Sequence, residues 1–381
     1  MGDVHIVRGA PGAGKTSLAR ELSKRLKDKG IGFVFCEDPT SDKRIDDLCW
    51  DIAGALTGHS DEELRTEYRK SGAGGFNFGV VQVGGGVAEQ VRGDSGDAPE
   101  SIKRLNWLNK ENSFMTPVVV FLDEAQNIKS GSKAESLATM LHTQSSLPIL
   151  LVCAGLSNTQ DALHSIGISR STLRHVYPIG ALSAAETYES AHRSLQVIQE
   201  TGADGTSDDV RAWSETLAHE SDNWPRHLTC YLQAVLESLI KQDRPNISEL
   251  DRGAALSLGR TYREGYYAHR LASSELPVSI IADLYGELEK DSLSRLECEG
   301  ALEEMVERYT GRGARIVQRK FSDGSYSFNA LLRAGIITAP VDPTEPCEIP
   351  IPSMLTFIIE KAREERARHA LRTHLGLPGR D

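Results

Sequence analysis

Short apolar segments alternate with amphipathic ones over roughly the first 180 residues of this 381-residue chain. A short apolar run between turn signals predicts a buried strand, whereas apolar positions three or four apart predict a helix. Strands are predicted at 3–7, 32–36, 118–122 and 149–153, with helices at 17–29, 41–56, 102–112 and 136–142. This alternation predicts an α/β domain with a parallel sheet that is covered on both faces.

The pattern changes to mainly helical beyond this region. Helices are predicted at 184–199, 208–240, 278–288 and 293–309, and a charged amphipathic helix at 354–374. Residues 315–321 and 325–328 flank an Asp323-Gly324 pair, which is a strong hairpin signal. Helices followed by a hairpin predict a winged-helix-like module.

A glycine-rich stretch at 71–99 interrupts the first domain. Phe76, Phe78 and Val80 alternate within it, which fits a glycine-punctuated hairpin as one of several interpretations. A mobile loop and a flexible linker are the open alternatives, as is an insertion that contacts a partner or a neighbouring subunit.

The composition is ordinary for a soluble globular protein, with 39% hydrophobic and 25% charged residues. The net charge of −11 argues against non-specific coating of nucleic acid, although it permits a local basic face. No run of eighteen apolar residues occurs and the chain enters a strand at its start, so we expect neither a membrane span nor a signal peptide. Six scattered cysteines without a C-x-x-C pair predict buried, reduced thiols and a cytoplasmic protein.

Residues 9–17 carry the sequence GAPGAGKTS, which matches G-x-x-x-x-G-K-[ST] between a predicted strand and a predicted helix. Backbone N–H groups and the positive end of the helix dipole converge there, which suits a polyphosphate. We expect Lys15 to reach the β- and γ-phosphates and the Thr16 hydroxyl to bind Mg²⁺. The residues predicted to bind the nucleotide are Gly9, Ala10, Pro11, Gly12, Ala13, Gly14, Lys15, Thr16 and Ser17.

The strand predicted at 118–122 is followed by Asp123 and Glu124, the pattern of a Walker B element. Asp123 can bind Mg²⁺, directly or through water, because a hard cation prefers carboxylate oxygen. Glu124 can polarise the water that attacks the γ-phosphate. The two motifs together predict hydrolysis of a nucleoside triphosphate.

With Asp123-Glu124-Ala125-Gln126 at the strand end, the chain resembles the AAA+ ATPases, particularly the initiator-like (origin-recognition) branch and bacterial ATPases whose strand ends in DEAQ. The resemblance implies ATP with Mg²⁺ as cofactor. It also implies a polar sensor after the next strand, which hydrogen-bonds the γ-phosphate or the attacking water. Asn158 is the candidate, with Ser157 and Thr159 as alternatives.

Two arginines are assigned roles by the same resemblance. Ile168-Ser169-Arg170 is similar to the segment that places an arginine finger in a neighbouring subunit's site, so Arg170 implies a homo-oligomer. Arg174 is the rival for that role. Asn223-Trp224-Pro225-Arg226 resembles the sensor-2 element, although Asn223 replaces the expected glycine, and Arg226 is implied to touch the phosphates.

The resemblance, which covers roughly residues 1–245, implies an α/β fold of the P-loop NTPase (AAA+) class with a helical lid. The expected domains are the nucleotide-binding domain at 1–181, the lid at 182–247, the winged-helix-like domain at 248–345 and a terminal helix at 346–381. In the third domain Arg315, Arg319 and Lys320 would suit DNA phosphates. The acidic helix before them favours a protein partner equally.

An oligomeric ATP-driven switch or motor, acting in DNA transactions or anti-phage defence, is the leading hypothesis for function. A STAND-type module, which binds a protein partner under the control of nucleotide, is the alternative. A P-loop kinase is a third class, and it fits poorly because Glu124 follows Asp123 and a helical module follows the first domain.

Overall fold

A computed structural model describes residues 4–60, 116–143, 147–169, 171–173, 175–310, 324–339 and 344–374. The chain forms two compact units. Unit 1 comprises Met1–Val7, Lys15–Gly155 and Thr159–Tyr177, and unit 2 comprises Arg8–Gly14, Leu156–Asn158 and Pro178–Asp381. The predicted domain boundaries stay predictions.

A five-stranded sheet organises unit 1. Its strands are β1 (Val4–Arg8), β2 (Gly32–Cys36), β3 (Val118–Leu122), β4 (Ile149–Gly155) and β5 (His175–Pro178), in the order β2-β3-β4-β1-β5. The β2–β3 and β3–β4 pairs are parallel, with Val34 opposite Val120 and Leu122 opposite Cys153. Every residue of β3 is buried, as expected for a parallel strand with helices on both faces.

The helices of unit 1 are α1 (Lys15–Lys27), α2 (Asp42–Thr57), α3 (Lys133–Thr143) and α4 (Thr159–Ser165), and a 3₁₀ turn lies at Ala125–Asn127. Ser41 caps α2 by accepting from the backbone N–H of Arg44. The buried face of α2 presents Ile45, Ile52 and Leu56 to the sheet core. These elements confirm the strands predicted at 32–36, 118–122 and 149–153 and the helices predicted at 17–29, 41–56 and 136–142.

Unit 2 is helical in its described part. Its helices are α5 (Ala184–Glu200), α6 (Ser207–Glu220), α7 (Pro225–Ile240), α8 (Arg252–Ser274), α9 (Val278–Lys290), α10 (Arg295–Thr310), α11 (Gly324–Ala334) and α12 (Met354–His374), with a 3₁₀ turn at Ile247–Glu249. Capping boxes start α5 at Ser183 and α6 at Thr206. One core of unit 2 gathers Trp224, Tyr285 and Phe328, and a second lies around Trp213 and Tyr231.

Two predictions of secondary structure were wrong in unit 2. The helix predicted at 208–240 is two helices, because Pro225 starts α7 after a turn in which Asp222 and Asn223 both have positive φ. The strand predicted at 325–328 lies inside α11, where Phe328, Leu331 and Leu332 are buried at helical spacing. The described residues therefore give no support to a winged-helix hairpin.

Other predictions lie outside the described residues. They are the strand at 315–321 with Arg315, Arg319 and Lys320, the glycine-rich stretch 71–99 and the helix at 102–112. All six cysteines are buried, and none of them forms a disulfide bond. No helix of the described residues is long and apolar enough to cross a membrane.

Candidate nucleotide-binding site

The glycine-rich loop joins the end of β1 to the start of α1, the arrangement predicted from the motif. β1 ends at Arg8 and α1 begins at Lys15, a residue that is only 5% exposed. Gly12 has a φ of 80°, a conformation that L side chains rarely adopt. The first turn of α1 thus begins with the lysine and threonine of the motif, at the end of the helix that favours anions.

A hydrogen bond joins the two predicted metal ligands. The Thr16 hydroxyl donates to Asp123 Oδ2 at 2.6 Å, and the other carboxylate oxygen, Oδ1, accepts from the backbone N–H of Glu124 at 3.0 Å. Asp123 is buried at the end of β3, next to the start of α1. The structure therefore brings together the hydroxyl and the carboxylate that the sequence assigned to Mg²⁺.

Glu124 has an unusual backbone conformation for a residue with a side chain. Its φ of 51° and ψ of 36° are left-handed, which costs on the order of 1 kcal/mol or more for a non-glycine residue. Its carboxylate oxygen Oε2 accepts a hydrogen bond from Gln126 Nε2 at 2.5 Å. The carbonyl oxygen of Gln126 in turn accepts from the Thr159 hydroxyl at 3.5 Å. Glu124 is therefore part of a network that reaches the first residue of α4.

Within unit 2, two donors form hydrogen bonds to carbonyl oxygens of the glycine-rich loop. The Tyr266 hydroxyl donates to the carbonyl oxygen of Pro11 at 2.6 Å, and the backbone N–H of Arg226 donates to that of Gly12 at 3.2 Å. In a trans peptide the carbonyl and the following N–H point in opposite directions. Fixing the Pro11 carbonyl therefore turns the N–H of Gly12 away from α8.

The same stretch of loop is closely packed against other residues of unit 2. A Cβ atom at Gly12 would lie 2.5 Å from the Cβ of Arg226 and 3.1 Å from Nε1 of Trp224. A Cβ atom at Gly335, just after α11, would collide with the ring of Pro11. Burial among these groups raises the pKa of Tyr266 to about 12, so its hydroxyl stays protonated and can donate.

A cavity of 380 Å³ adjoins the start of the loop within unit 2. Its lining includes Gly9, Ile179 and three polar side chains that have no hydrogen-bond partner among the described residues, at Arg8 Nη1, Ser157 Oγ and Trp224 Nε1. All three groups can donate a hydrogen bond. The cavity is therefore suited to a ligand that is rich in acceptor oxygens or nitrogens.

The structure describes two of the four other predicted site residues, Asn158 and Arg226. Asn158 lies just after β4, and its Oδ1 atom is buried without a partner in the described part of the chain. The Arg226 side chain is exposed, with its guanidinium 5.8 Å from the centre of the Tyr266 ring. Arg170 and Arg174 lie outside the described residues. The sensor and finger roles stay predictions.

Sequence reasoning missed two residues that contact the loop. Tyr266 and Gly335 lie 255 and 324 positions from Pro11, and no motif connects them with it. Gln126 was recognised only as part of the DEAQ string. Gln126 lies two residues after Glu124, just beyond the end of β3. This spacing was the local signal that their side chains are in contact.

A comparison of the sequence with models of known protein families agrees with a nucleotide-binding site at this loop. Residues 2–152 match the family model described as an AAA ATPase domain. No curated protein matches the chain.

Solved structures give only distant likenesses. They include Cdc6p from Pyrobaculum aerophilum, at 15% identity over 95% of this chain and 88% of that chain with a TM-score of 0.41. A point mutant of Thermotoga maritima RuvB matches at 14% identity over 100% and 89% of the two chains, with a TM-score of 0.41. The Aeropyrum pernix ORC1 protein in complex with DNA matches at 14% over 97% and 88%, with a TM-score of 0.40. These values are too low to support an argument about function.

The family match spans both the glycine-rich loop and the acidic pair at the end of β3. Residues 2–152, which hold both elements, are thus similar to an AAA ATPase domain.

Proposed function

We propose that this ATPase is a nucleotide-driven switch, in which the state of the glycine-rich loop is transmitted to the helices of unit 2. The observation that supports the proposal is the pair of bonds from Tyr266 and Arg226 to the carbonyls of Pro11 and Gly12. A phosphate that reshapes the loop moves these carbonyls, and α7 and α8 carry the donors. Binding and hydrolysis thereby bias the arrangement of those two helices.

The proposed reaction uses residues on both motifs. Glu124 orients a water molecule and takes its proton as the water oxygen bonds to the γ-phosphorus, while the bond to the β–γ bridging oxygen breaks and its electron pair stays with ADP. Lys15 offsets the charge on the β- and γ-phosphates. Asn158 and Arg226 would contact the γ-phosphate region, and Arg170 would reach it from a neighbouring subunit.

The residues present suit Mg²⁺ as well as nucleotide. The Thr16 hydroxyl and the Asp123 carboxylate lie 2.6 Å apart, and both are oxygen donors of the kind that Mg²⁺ prefers. When bound with ATP, Mg²⁺ offsets negative charge on the phosphates. Thr16 and Asp123 would hold it, and their mutual hydrogen bond keeps both side chains in place beforehand.

Assembly through the nucleotide site is the second part of the proposal. We expect the Glu124→Gln variant, which can bind but not hydrolyse ATP, to form oligomers with ATP and Mg²⁺ when measured by size-exclusion chromatography with light scattering. Adding DNA separates the two kinds of partner. Assembly that requires DNA favours a role in DNA transactions, and assembly without DNA favours a protein partner or a defence role.

The concentration dependence of hydrolysis tests the shared site. If Arg170 completes a neighbouring site, the specific activity rises with protein concentration, and Arg170→Ala lowers it while Arg174→Ala does not. Activity strictly proportional to concentration, with Arg170→Ala unaffected, would exclude a site shared between subunits.

A STAND-type module that is gated by nucleotide is the second candidate. It is favoured by the contact between Gly335, after α11, and the ring of Pro11, which places a C-terminal segment directly on the loop. Such a protein turns over slowly and retains ADP. Purified protein that carries stoichiometric, slowly released ADP and hydrolyses ATP slowly would support this candidate over the motor.

A further inference from the structure

The side chain of Gln126 lies between Glu124 and Thr159 and bonds to both. Its Nε2 donates to Glu124 Oε2 at 2.5 Å, and its Oε1 accepts from the Thr159 hydroxyl at 3.5 Å. Only this orientation of the amide satisfies both neighbours, because a carboxylate needs a donor and a hydroxyl can supply one. The amide thus connects the end of β3 to the start of α4.

Gly155, the last residue of β4, leaves the space in which this contact forms. A Cβ atom there would collide with Gln126 Oε1 and with Thr159 Oγ1. Thr159 is completely buried, and its hydroxyl donates to the amide oxygen of Gln126. The absence of a side chain at Gly155 is therefore what allows the amide and the hydroxyl to meet.

We propose that Gln126 is a positioning residue for hydrolysis, which holds the Glu124 carboxylate in the orientation that accepts the proton of the attacking water. The inference rests on the proposed role of Glu124 as the group that takes this proton. The amide bonds to Oε2, which leaves Oε1 as the oxygen that would accept the proton of the water. The left-handed backbone of Glu124 is unfavourable for a residue with a side chain. The side-chain bond to Gln126 helps to stabilise this conformation.

The anchor of this arrangement lies at the sensor loop. Thr159 is the first residue of α4 and directly follows Asn158, the predicted sensor. A movement of that loop on binding the γ-phosphate would shift the Thr159 hydroxyl and, through Gln126, the carboxylate. Gln126 thereby makes the orientation of the base depend on the occupancy of the site.

The test is the Gln126→Ala variant, with Asn127→Ala as the matched control on the same 3₁₀ turn, where the side chain is exposed. We expect Gln126→Ala to lower kcat ~10- to 100-fold, because a small misplacement of a catalytic group is that costly. KM and the Kd of a fluorescent ATP analogue should stay within about twofold of wild type. The Tm should stay within a degree or two of wild type. Asn127→Ala should leave all four quantities unchanged.

Two further substitutions keep the test valid if the alanine variant folds poorly. Gln126→Glu has nearly the same shape but replaces the donor with an acceptor, and we expect it to lower kcat at least as much. Thr159→Val replaces the hydroxyl with a methyl group and should lower kcat by a smaller factor than Gln126→Ala does. Thr159→Ser keeps the hydroxyl, so its kcat should be higher than that of Thr159→Val and close to the wild-type value.

A double-variant comparison shows whether Gln126 acts through Glu124. Glu124→Asp withdraws the carboxylate from the amide, so adding Gln126→Ala to it should change the single-turnover rate less than twofold. An equal loss in both backgrounds, or wild-type kcat in Gln126→Ala, would overturn the inference. Hydrolysis that survives in Glu124→Gln would instead contradict the proposed function of Glu124 itself.

Discussion

The backbone N–H of Arg226 donates a hydrogen bond to the carbonyl oxygen of Gly12. The sequence predicts a role for this arginine through its side chain, as a contact to phosphate. The structure gives the same residue a second role through its main chain, at the first turn of α7. In the proposed switch, this bond would pass a change in loop shape to α7 even with the guanidinium exposed.

The contact between Gly335 and Pro11 can be tested with a matched pair of glycines. Gly335 and Gly30 both have a φ of 67°, but a Cβ atom meets Pro11 at Gly335 and open space at Gly30. Each alanine substitution should cost ~1–3 kcal/mol for the left-handed backbone. Only Gly335→Ala should also weaken ATP binding, because it displaces the loop.

Thermal unfolding and isothermal titration with an ATP analogue measure the two effects. We expect the Kd of Gly335→Ala to rise at least ~5-fold, which corresponds to about 1 kcal/mol of overpacking. Equal Kd values for Gly335→Ala and Gly30→Ala would show that this segment has no influence on the loop.

The Tyr266 hydroxyl is expected to stabilise the nucleotide-binding form of the loop. Tyr266→Phe removes the donor to Pro11 and should speed nucleotide dissociation ~2- to 10-fold, the effect of one hydrogen bond. Tyr262→Phe is the control. Tyr262 lies one turn before Tyr266 on α8, and its hydroxyl donates to Glu237 on α7. Stopped-flow release of a fluorescent nucleotide would check the prediction, and a similar acceleration in both variants would refute it.

Asp123 is expected to be needed for metal-dependent hydrolysis but not for folding. Asp123→Asn keeps an oxygen that can accept from the Glu124 N–H, and its NH₂ group can donate to the Thr16 hydroxyl, but it removes the charge that Mg²⁺ requires. We expect kcat to fall on the order of 100-fold or more, with the Tm nearly unchanged. Asp47→Asn, at an exposed position of α2, is the control. An activity that persists in excess EDTA would show that the metal is not required.

His227 predicts an acid sensitivity of unit 2. Burial, with Arg263 nearby, lowers the pKa of this histidine from 6.5 to about 4, and its Nδ1 donates to the Ser221 carbonyl at 3.1 Å. The unfolded chain therefore takes up a proton near pH 6.5, where the folded chain does not. The free energy of unfolding should fall as the pH drops from 6.5 to about 4, by on the order of 3 kcal/mol.

Denaturant unfolding at several pH values measures that slope. His227→Gln has no group that titrates in this range, so its stability should vary less with pH between 6.5 and 4. Identical slopes for wild type and variant would assign the acid sensitivity to other groups.

Local sequence was sufficient where a motif lies within one strand, turn and helix. The β1–loop–α1 segment and the acidic pair after β3 were predicted because residue spacing alone sets their geometry. Prediction was wrong at 325–328, since Asp323-Gly324 signals a turn whether or not the next segment extends. There the buried positions of Phe328, Leu331 and Leu332 favour a helix, and packing in unit 2 outweighs the turn signal.

The sequence by itself determined the glycine-rich loop, the acidic pair after β3 and the α/β class of the N-terminal domain, because each depends on neighbouring residues. Only the tertiary structure decided which groups bond to the carbonyls of the loop and which group bonds to the Glu124 carboxylate. Tyr266, Gly335 and Thr159 reach their partners across 33 to more than 300 positions of chain. Such contacts follow from the packing of whole helices and strands, which spacing within a motif does not encode.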